Sequence, residues 1–250
     1  MKVDYPSPEQ IDSLRSLWQE AFGDDDAFLE QFFTCGFAPD RCRCITIDGE
    51  IAAALYWFDC SYQGKPLAYL YGVATGKAHR GQGLCRILTE NTHSHLKYLG
   101  YAGVVLVPAE ENLFEMYGKM GYAPCACVSE FDCQAGDTPV SLRSIDAGEY
   151  GRLRREFLPK NGVLQEGDNL NFLQKLAQFY AGEDFLAAVY RGEKCFIPEL
   201  LGNMDAAPGI LAALHKNKGH FRTPGTEKPF AMYHALSDLP APEYFGLAFD

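Results

Sequence analysis

The sequence predicts an α/β protein on a mixed sheet, arranged as two halves of similar element order. Three observations carry that expectation. Some stretches repeat apolar residues at helical spacing, while others are short apolar or alternating runs of strand type. Asp48-Gly49 and Gln63-Gly64 separate such runs as turns. The order helix, helix, hairpin, seen first before residue 60, recurs after residue 140.

In chain order, Ser7 is an N-cap, Pro8 takes the first helical position and Gln10 follows three residues after the cap. Ile11, Leu14, Trp18 and Phe22 form that helix's apolar stripe, and Gly23 closes it. Asp24 to Asp26 cap a second helix carrying Phe28, Leu29, Phe32 and Phe33, which ends near Gly36. Arg41 to Ile47 and Glu50 to Phe58 are strands on either side of Asp48-Gly49. Leu67 to Thr75 is a largely apolar central strand. A helix with Leu84, Ile87, Leu88, Leu96 and Leu99 stops at Gly100, and a buried strand, Ala102 to Val107, stops at Pro108. Glu111 to Met120 is a short helix with Gly121 behind it, and Ala123 to Cys133 reads as paired strands.

Gln134 to Pro139 is polar and rich in turn formers, so it links a domain of residues 1–134 to one of residues 138–250. In the second half Asp146 caps a helix with Tyr150, Leu153 and Phe157, and Asn169 to Tyr180 is a second helix. Phe185 to Tyr190 and Lys194 to Leu201 flank Arg191-Gly192-Glu193, echoing the hairpin at Asp48-Gly49. A helix from about Ala207 to Lys216 and strands near His220, Phe230 to Leu236 and Tyr244 to Phe249 complete the set.

Composition bounds the function. A hydrophobic share of 47% and a charged share of 22% over 250 residues are those of an ordinary globular protein. The net charge of -11 argues against nucleic-acid binding, which needs clustered Lys and Arg, and suits either a cationic acceptor or simple solubility. The start of the chain does not resemble a signal peptide and no apolar run is long enough for a bilayer, so a cytoplasmic protein without a membrane partner is expected. Nine cysteines, with C-x-C pairs at Cys42/Cys44 and Cys125/Cys127, match neither a disulfide framework nor a zinc knuckle; no metal is expected.

The chemistry concentrates at Val73-Ala74-Thr75, a four-residue loop, and Arg80-Gly81-Gln82-Gly83-Leu84-Cys85 opening a helix. A strand, a glycine-bearing loop and a helix N-terminus make an anion site, because first-turn amides lack intrahelical partners and the macrodipole is positive there. The glycines let backbone approach a pyrophosphate, and Arg80 adds a charge-assisted contact. A P-loop pattern is not met at Gly76 or Gly81, and Arg86 stands where a dinucleotide fingerprint needs its third glycine.

These motifs resemble those of the GCN5-related N-acetyltransferase (GNAT) family. Val73-Ala74-Thr75 with Arg80 to Cys85 is similar to its R/Q-x-x-G-x-G/A loop after a V-A-T strand. Asn112, then Tyr117, Lys119 and Gly121-Tyr122, resemble its downstream N…Y-x-k-x-G-F/Y signature at the usual separation of the two motifs. The resemblance covers residues 1 to 134 and implies the GNAT acyl-CoA N-acyltransferase fold, with a second, degenerate GNAT-like half that lacks its own cofactor site. It further implies acetyl-CoA as co-substrate and transfer of the acetyl group to a primary amine of a small molecule by direct attack. Val73, Ala74 and Thr75 would receive the pantetheine arm and acyl carbonyl, between strands that splay apart. Arg80, Gly81, Gln82, Gly83, Leu84 and Cys85 would hold the pyrophosphate, Asn112 would contact the cofactor, and Tyr117 would protonate the departing thiolate.

Several readings stay open on sequence alone. Cys85 replaces the usual Gly or Ala, as a small packing residue or as a redox-sensitive thiol. An alkylamine of pKa near 10.4 needs about 4 to 5 kcal/mol to deprotonate at neutral pH. The strand Leu67 to Thr75 carries Tyr69 and Tyr71 but no carboxylate, so the base is Glu110, Glu111, a water chain or the terminal carboxylate at Asp250. Tyr69 and Tyr71 line an acceptor pocket or the core, Glu199 is a functional carboxylate or ends an edge strand, and His93 and His95 are expected at the solvent surface. A non-catalytic acyl-CoA-binding sensor is the alternative from another class, and a protein-lysine or N-terminal acetyltransferase is a third.

Overall fold

The computed structural model describes residues 1–249, and the chain divides into two compact units. The first comprises Met1–Cys60, Gly64–Ala123 and Tyr233–Pro240; the second comprises Ser61–Gln63, Pro124–Met232 and Ala241–Asp250.

The first unit runs β1 (Lys2–Asp4), α1 (Ile11–Phe22), α2 (Asp26–Gln31), β2 (Cys42–Ile47), β3 (Glu50–Tyr62), β4 (Lys65–Thr75), α3 (Leu84–Tyr98), β5 (Gly103–Leu106) and α4 (Glu111–Gly118). Its strands lie side by side in chain order, β1 and β3 antiparallel to β2, with β4 and β5 parallel around the crossover helix α3. Asp48 and Gly49 both take positive φ, 51° and 89°, as a two-residue type I′ hairpin demands. Gly23 ends α1 at φ 77°, its N–H bonded to Gln19 O at 2.9 Å, and the Asp25 side chain caps α2 by accepting from Phe28 N at 2.8 Å. The inner face of α1 buries Leu14, Leu17 and Trp18.

The second unit runs β6 (Ala123–Gln134), β7 (Arg143–Ile145), α5 (Ala147–Phe157), β8 (Leu164–Gln165), α6 (Asp168–Leu176), β9 (Ala177–Ala181), β10 (Phe185–Tyr190), β11 (Phe196–Ile197), β12 (Glu199–Gly202), α7 (Ala207–Ala213), β13 (Lys218–Pro224) and β14 (Lys228–Ala235). One sheet has the order β12-β10-β9-β7, and β13 lies antiparallel to β6 and parallel to β11. Phe185, Ala187, Leu200, Ile210, Leu211 and Phe221 form its buried core. The strand β14 starts in this unit and ends in the first, whose segment Tyr233–Pro240 bonds to the start of β5: Leu236 N–H, Tyr233 OH and Ser237 OH all donate to Ala102 O, at 3.0, 3.4 and 3.1 Å.

Four local expectations are corrected. Ala123 to Cys133 lies within a single strand of 12 residues, not a pair. The helix expected over Asn169 to Tyr180 stops at Leu176, because Ala177, Phe179 and Ala181 alternate as buried residues of β9, which pairs with both β7 and β10. Lys194 to Leu201 is broken into β11 and β12 at Pro198, which has no N–H for a ladder. Tyr244 to Phe249 is not a strand. Its backbone is held by side chains instead: buried Gln165 brackets Leu247, donating to its O at 2.5 Å and accepting from its N at 3.2 Å, while Tyr190 OH donates to Ala248 O at 2.8 Å.

These corrections change how the two units compare. Strands β7-β9-β10-β12, with α5 and α6 between the first two, reproduce the order β1-β2-β3-β4 with α1 and α2 between the first two. The counterpart of the Asp48-Gly49 hairpin is therefore the β9–β10 turn, and that of the β4–α3 loop is Gly202 to Ala206.

Candidate active site

The geometry of β4 follows from one glycine. Gly72 takes φ 58°, and a Cβ built there would lie 2.5 Å from Trp18 Cζ3, so only glycine lets the strand turn under the indole. Immediately after it come Val73, Ala74 and Thr75, of which Ala74 is buried and the other two partly exposed. The register with β5 spans only Leu67↔Gly103 to Tyr69↔Val105. The rest of β4 runs on past that ladder to Thr75. The signal for Gly72 was present in the sequence, a glycine inside an apolar strand, and was passed over.

The loop after β4 is tied down at its start. Gly76 N–H donates to Ala52 O at 2.9 Å, Lys77 N–H to Glu20 Oε1 at 2.5 Å, and the Arg80 side chain folds back on Thr75 O at 3.1 Å. Beyond Arg80 the backbone is open. Gly81 and Gly83 have φ 76° and 75°, and a Cβ at either would meet nothing within 4 Å. Gly83 is the N-cap of the 15-residue α3, with Leu84 and Cys85 in its first turn. Arg80, Gly81, Gln82 and Gly83 are exposed, and the two glycines put no side chain beside the first turn of α3, whose amides lack intrahelical partners.

The α4 residues take different positions. Asn112 is exposed in the first turn, as are Glu110 and Glu111, whereas Tyr117 is buried at 7% exposure. Burial, and then the nearby Cys85 thiol, push the Tyr117 phenol above its ordinary range, so it stays protonated at neutral pH. The Cys85 thiol is pushed up by its own burial, which favours the packing reading over a reactive thiolate. Tyr117 and Cys85 thus lie within electrostatic reach of one another.

The remaining candidates resolve differently. Tyr69 is 3% exposed and belongs to the core, while half-buried Tyr71 joins Trp18 and Phe32 at ring distances of 5.4 and 5.8 Å. His93 is 6% exposed, contrary to the expected solvent position, because its face of α3 turns inward onto Tyr122. Glu199 is fully buried and accepts from Arg154 Nε, Tyr150 OH and Tyr244 OH at 2.8, 2.8 and 2.9 Å, so it is structural. Asp250 lies outside the described residues. A cavity of about 420 Å³ is lined by Asp40, Trp57, Asp59 and Tyr101 and by no residue of the glycine turn. Its polar groups pair with one another, Tyr101 OH and Arg41 both donating to Asp59. Among the described residues no three His, Cys, Asp or Glu side chains are grouped to hold a metal, and no helix is long and apolar enough to cross a membrane.

Comparison with known proteins adds the family. The model of the acetyltransferase (GNAT) domain matches residues 2–125. A search of curated proteins finds no match. Among solved structures the fold is similar to a GCN5-related N-acetyltransferase from Kribbella flavida, at 17% identity and a TM-score of 0.71, covering 93% of this chain and 70% of that one. It is similar also to one from Anabaena variabilis, at 16% identity and 0.71, covering 94% and 73%. A third, from Sphaerobacter thermophilus, is 12% identical with a TM-score of 0.54 and is covered over 97% of both chains. These likenesses speak to the fold, and the domain match to the family. The protein belongs to the GCN5-related N-acetyltransferases, through a GNAT domain that fills the first half of its chain.

Proposed function

We propose that this protein transfers an acetyl group from acetyl-CoA to a primary amine of a small molecule by direct attack in a ternary complex. The observation that supports the reading is a buried tyrosine, Tyr117, whose phenol stays protonated and feels the thiol of Cys85, the last residue of Arg80 to Cys85. The backbone of Val73, Ala74 and Thr75 orients the pantetheine arm and donates to the acyl carbonyl as it becomes an oxyanion. Amides and Arg80 of the turn hold the pyrophosphate, and Asn112 touches the cofactor from α4. As the nitrogen–carbon bond forms and the carbon–sulfur bond breaks, Tyr117 gives its proton to the departing thiolate. The amine's proton leaves through Glu110, Glu111, a water chain or the Asp250 carboxylate. The half-buried aromatics Phe33, Phe37 and Tyr71, with the acidic surface, suit an organic ammonium.

The half of residues 138–250 is proposed as a degenerate GNAT-like domain without a cofactor site of its own. Its strand order supports the first part, and its filled β12–α7 junction supports the second. No nucleic acid or membrane is assigned as partner, and the protein is placed in the cytoplasm. CoA release measured with acetyl-CoA and a panel of primary amines tests the reading. Tyr117→Phe should lower kcat about a hundredfold while leaving acetyl-CoA binding intact. Tight acetyl-CoA binding with no turnover on any amine would overturn the enzyme and leave a non-catalytic acyl-CoA sensor.

A further inference from the structure

Next to Tyr117 in the fold, buried Tyr122 and His93 and half-buried His234 form a polar group that the proposed chemistry does not use. The Tyr122 hydroxyl and His93 Nε2 are 2.7 Å apart, with the two residues 4% and 6% exposed. The His93 ring stacks on His234 at 4.0 Å and 14°, and His234 Nδ1 lies 3.0 Å from Gly121 O. Three separate pieces of chain meet here: the helix that opens the glycine turn, the loop after α4, and the segment Tyr233–Pro240.

The proton positions follow from the chemistry of the partners. A carbonyl oxygen only accepts, so His234 carries its proton on Nδ1. Burial, and next His234, bring the pKa of His93 down to about 3, so its ring is neutral at neutral pH. Burial holds the Tyr122 phenol well above its ordinary value. The phenol is the better donor and the imidazole nitrogen the better acceptor, so Tyr122 donates to His93.

This arrangement acts on the end of α4. Tyr122 N–H donates to Tyr117 O at 3.2 Å and Met120 N–H to the same oxygen at 2.9 Å, closing the helix over Gly121 at φ 85°. The Tyr117 and Tyr122 rings meet edge-on at 5.6 Å and 70°. Tyr122 is therefore joined to Tyr117 through both backbone and ring. We infer that Tyr122, His93 and His234 are positioning residues that hold the Tyr117 hydroxyl toward the open turn. The inference rests on the proposed role of Tyr117 as the acid. It identifies three residues outside the glycine turn that the reaction depends on without their touching substrate.

Tyr122→Phe removes one hydroxyl and keeps the ring. It should lower kcat roughly ten- to a hundredfold, as expected of a misplaced catalytic group, with KM for acetyl-CoA within twofold. His93→Leu should do the same, and His93→Gln, which keeps an acceptor, should return most of the rate. The double variant Tyr117→Phe/Tyr122→Phe should be no slower than Tyr117→Phe, because the effect passes through the Tyr117 hydroxyl. A kcat for Tyr122→Phe within twofold of the parent, or losses that add in the double variant, would overturn the inference while leaving Tyr117 as the acid. Full activity of Tyr117→Phe would remove the acid and this inference with it. Carbon-13 labelling of the tyrosine Cζ atoms gives a readout without an acceptor: in the acetyl-CoA complex the Tyr117 signal should move in Tyr122→Phe and recover in His93→Gln relative to His93→Leu. An unmoved Tyr117 signal would overturn the inference even if no amine were turned over.

Discussion

Two strand-to-helix junctions occupy corresponding places in the two units and are finished in opposite ways. After β4 the chain passes through Gly81 and Gly83, both left-handed, with open space where a side chain would stand. After β12 it passes through Gly202, also left-handed at φ 86°, but a Cβ there would lie 2.3 Å from Asp184 O and 2.8 Å from Phe157. The next residue, Asn203, uses its side chain to accept from Asp205 N at 2.9 Å, and Asp205 puts an acidic group at the helix start. The first junction has open space beside its glycines; the second caps the Asp205 N–H from within and adds a carboxylate that would repel a phosphate. A glycine before a helix therefore leaves room for a ligand only when the space around it is empty.

The same contrast extends to buried charge. In the first unit Tyr117 is buried as a neutral acid. In the second, Arg154 and Glu199 are both buried as ions, and burial, which opposes the Arg154 charge, is more than offset by Glu199. Every side of Glu199 is used, by Arg154, Tyr150 and Tyr244. That network fixes β12 ahead of the closed junction.

Breaking this network should have the largest effect. Glu199→Ala leaves the Arg154 guanidinium buried without its partner and should cost about 3 to 5 kcal/mol, read as a lower denaturant midpoint, with acetyl-CoA binding by the folded fraction unchanged. Next comes His93 on the helix of the open junction. Its unfolded form takes a proton near pH 6.5, whereas the folded form resists until about pH 3. The folded state thus binds fewer protons across that window, and stability is complete above pH 6.5 and falls as pH drops toward 3. The loss should reach roughly 3 kcal/mol by about pH 4.5, and His93→Gln should lack that portion of the acid sensitivity in melts compared with the parent. Smaller effects distinguish the junctions themselves. Gly83→Asp puts a carboxylate where the first junction is open and should raise KM for acetyl-CoA more than tenfold, by about 1.4 kcal/mol or more, without loss of fold. Asn203→Ala removes a cap from the closed one and should cost about 1 kcal/mol of stability with KM unmoved. Equal effects of the last two on KM would erase the distinction.

Local chemistry was legible wherever the chain itself supplies the cause. The Asp48-Gly49 turn, the Gly23 cap, the strand Leu67 to Thr75 and the helix opening at Leu84 all arise from residues within a few positions of each other. So did the glycine turn itself, with Gly81 and Gly83 left-handed as a turn into a helix requires. Ala177 to Ala181 was misread because helical and strand patterns are alike over so few apolar residues, and pairing with β7 and β10 decides between them. Long-range partners were hidden altogether. Gly72 needed Trp18 above it, His93 needed Tyr122 and His234, and Glu199 needed Arg154 and Tyr244.

The sequence by itself determined the α/β class, the element order of the first half and the glycine turn that opens α3, since propensity, caps and left-handed glycines act locally. Only the tertiary structure decided which glycine turn stays open, which buried acid stays neutral and which residues stand behind Tyr117. Those properties depend on what surrounds a group in space, on free volume, desolvation and partners brought from distant chain, and no spacing of letters encodes them.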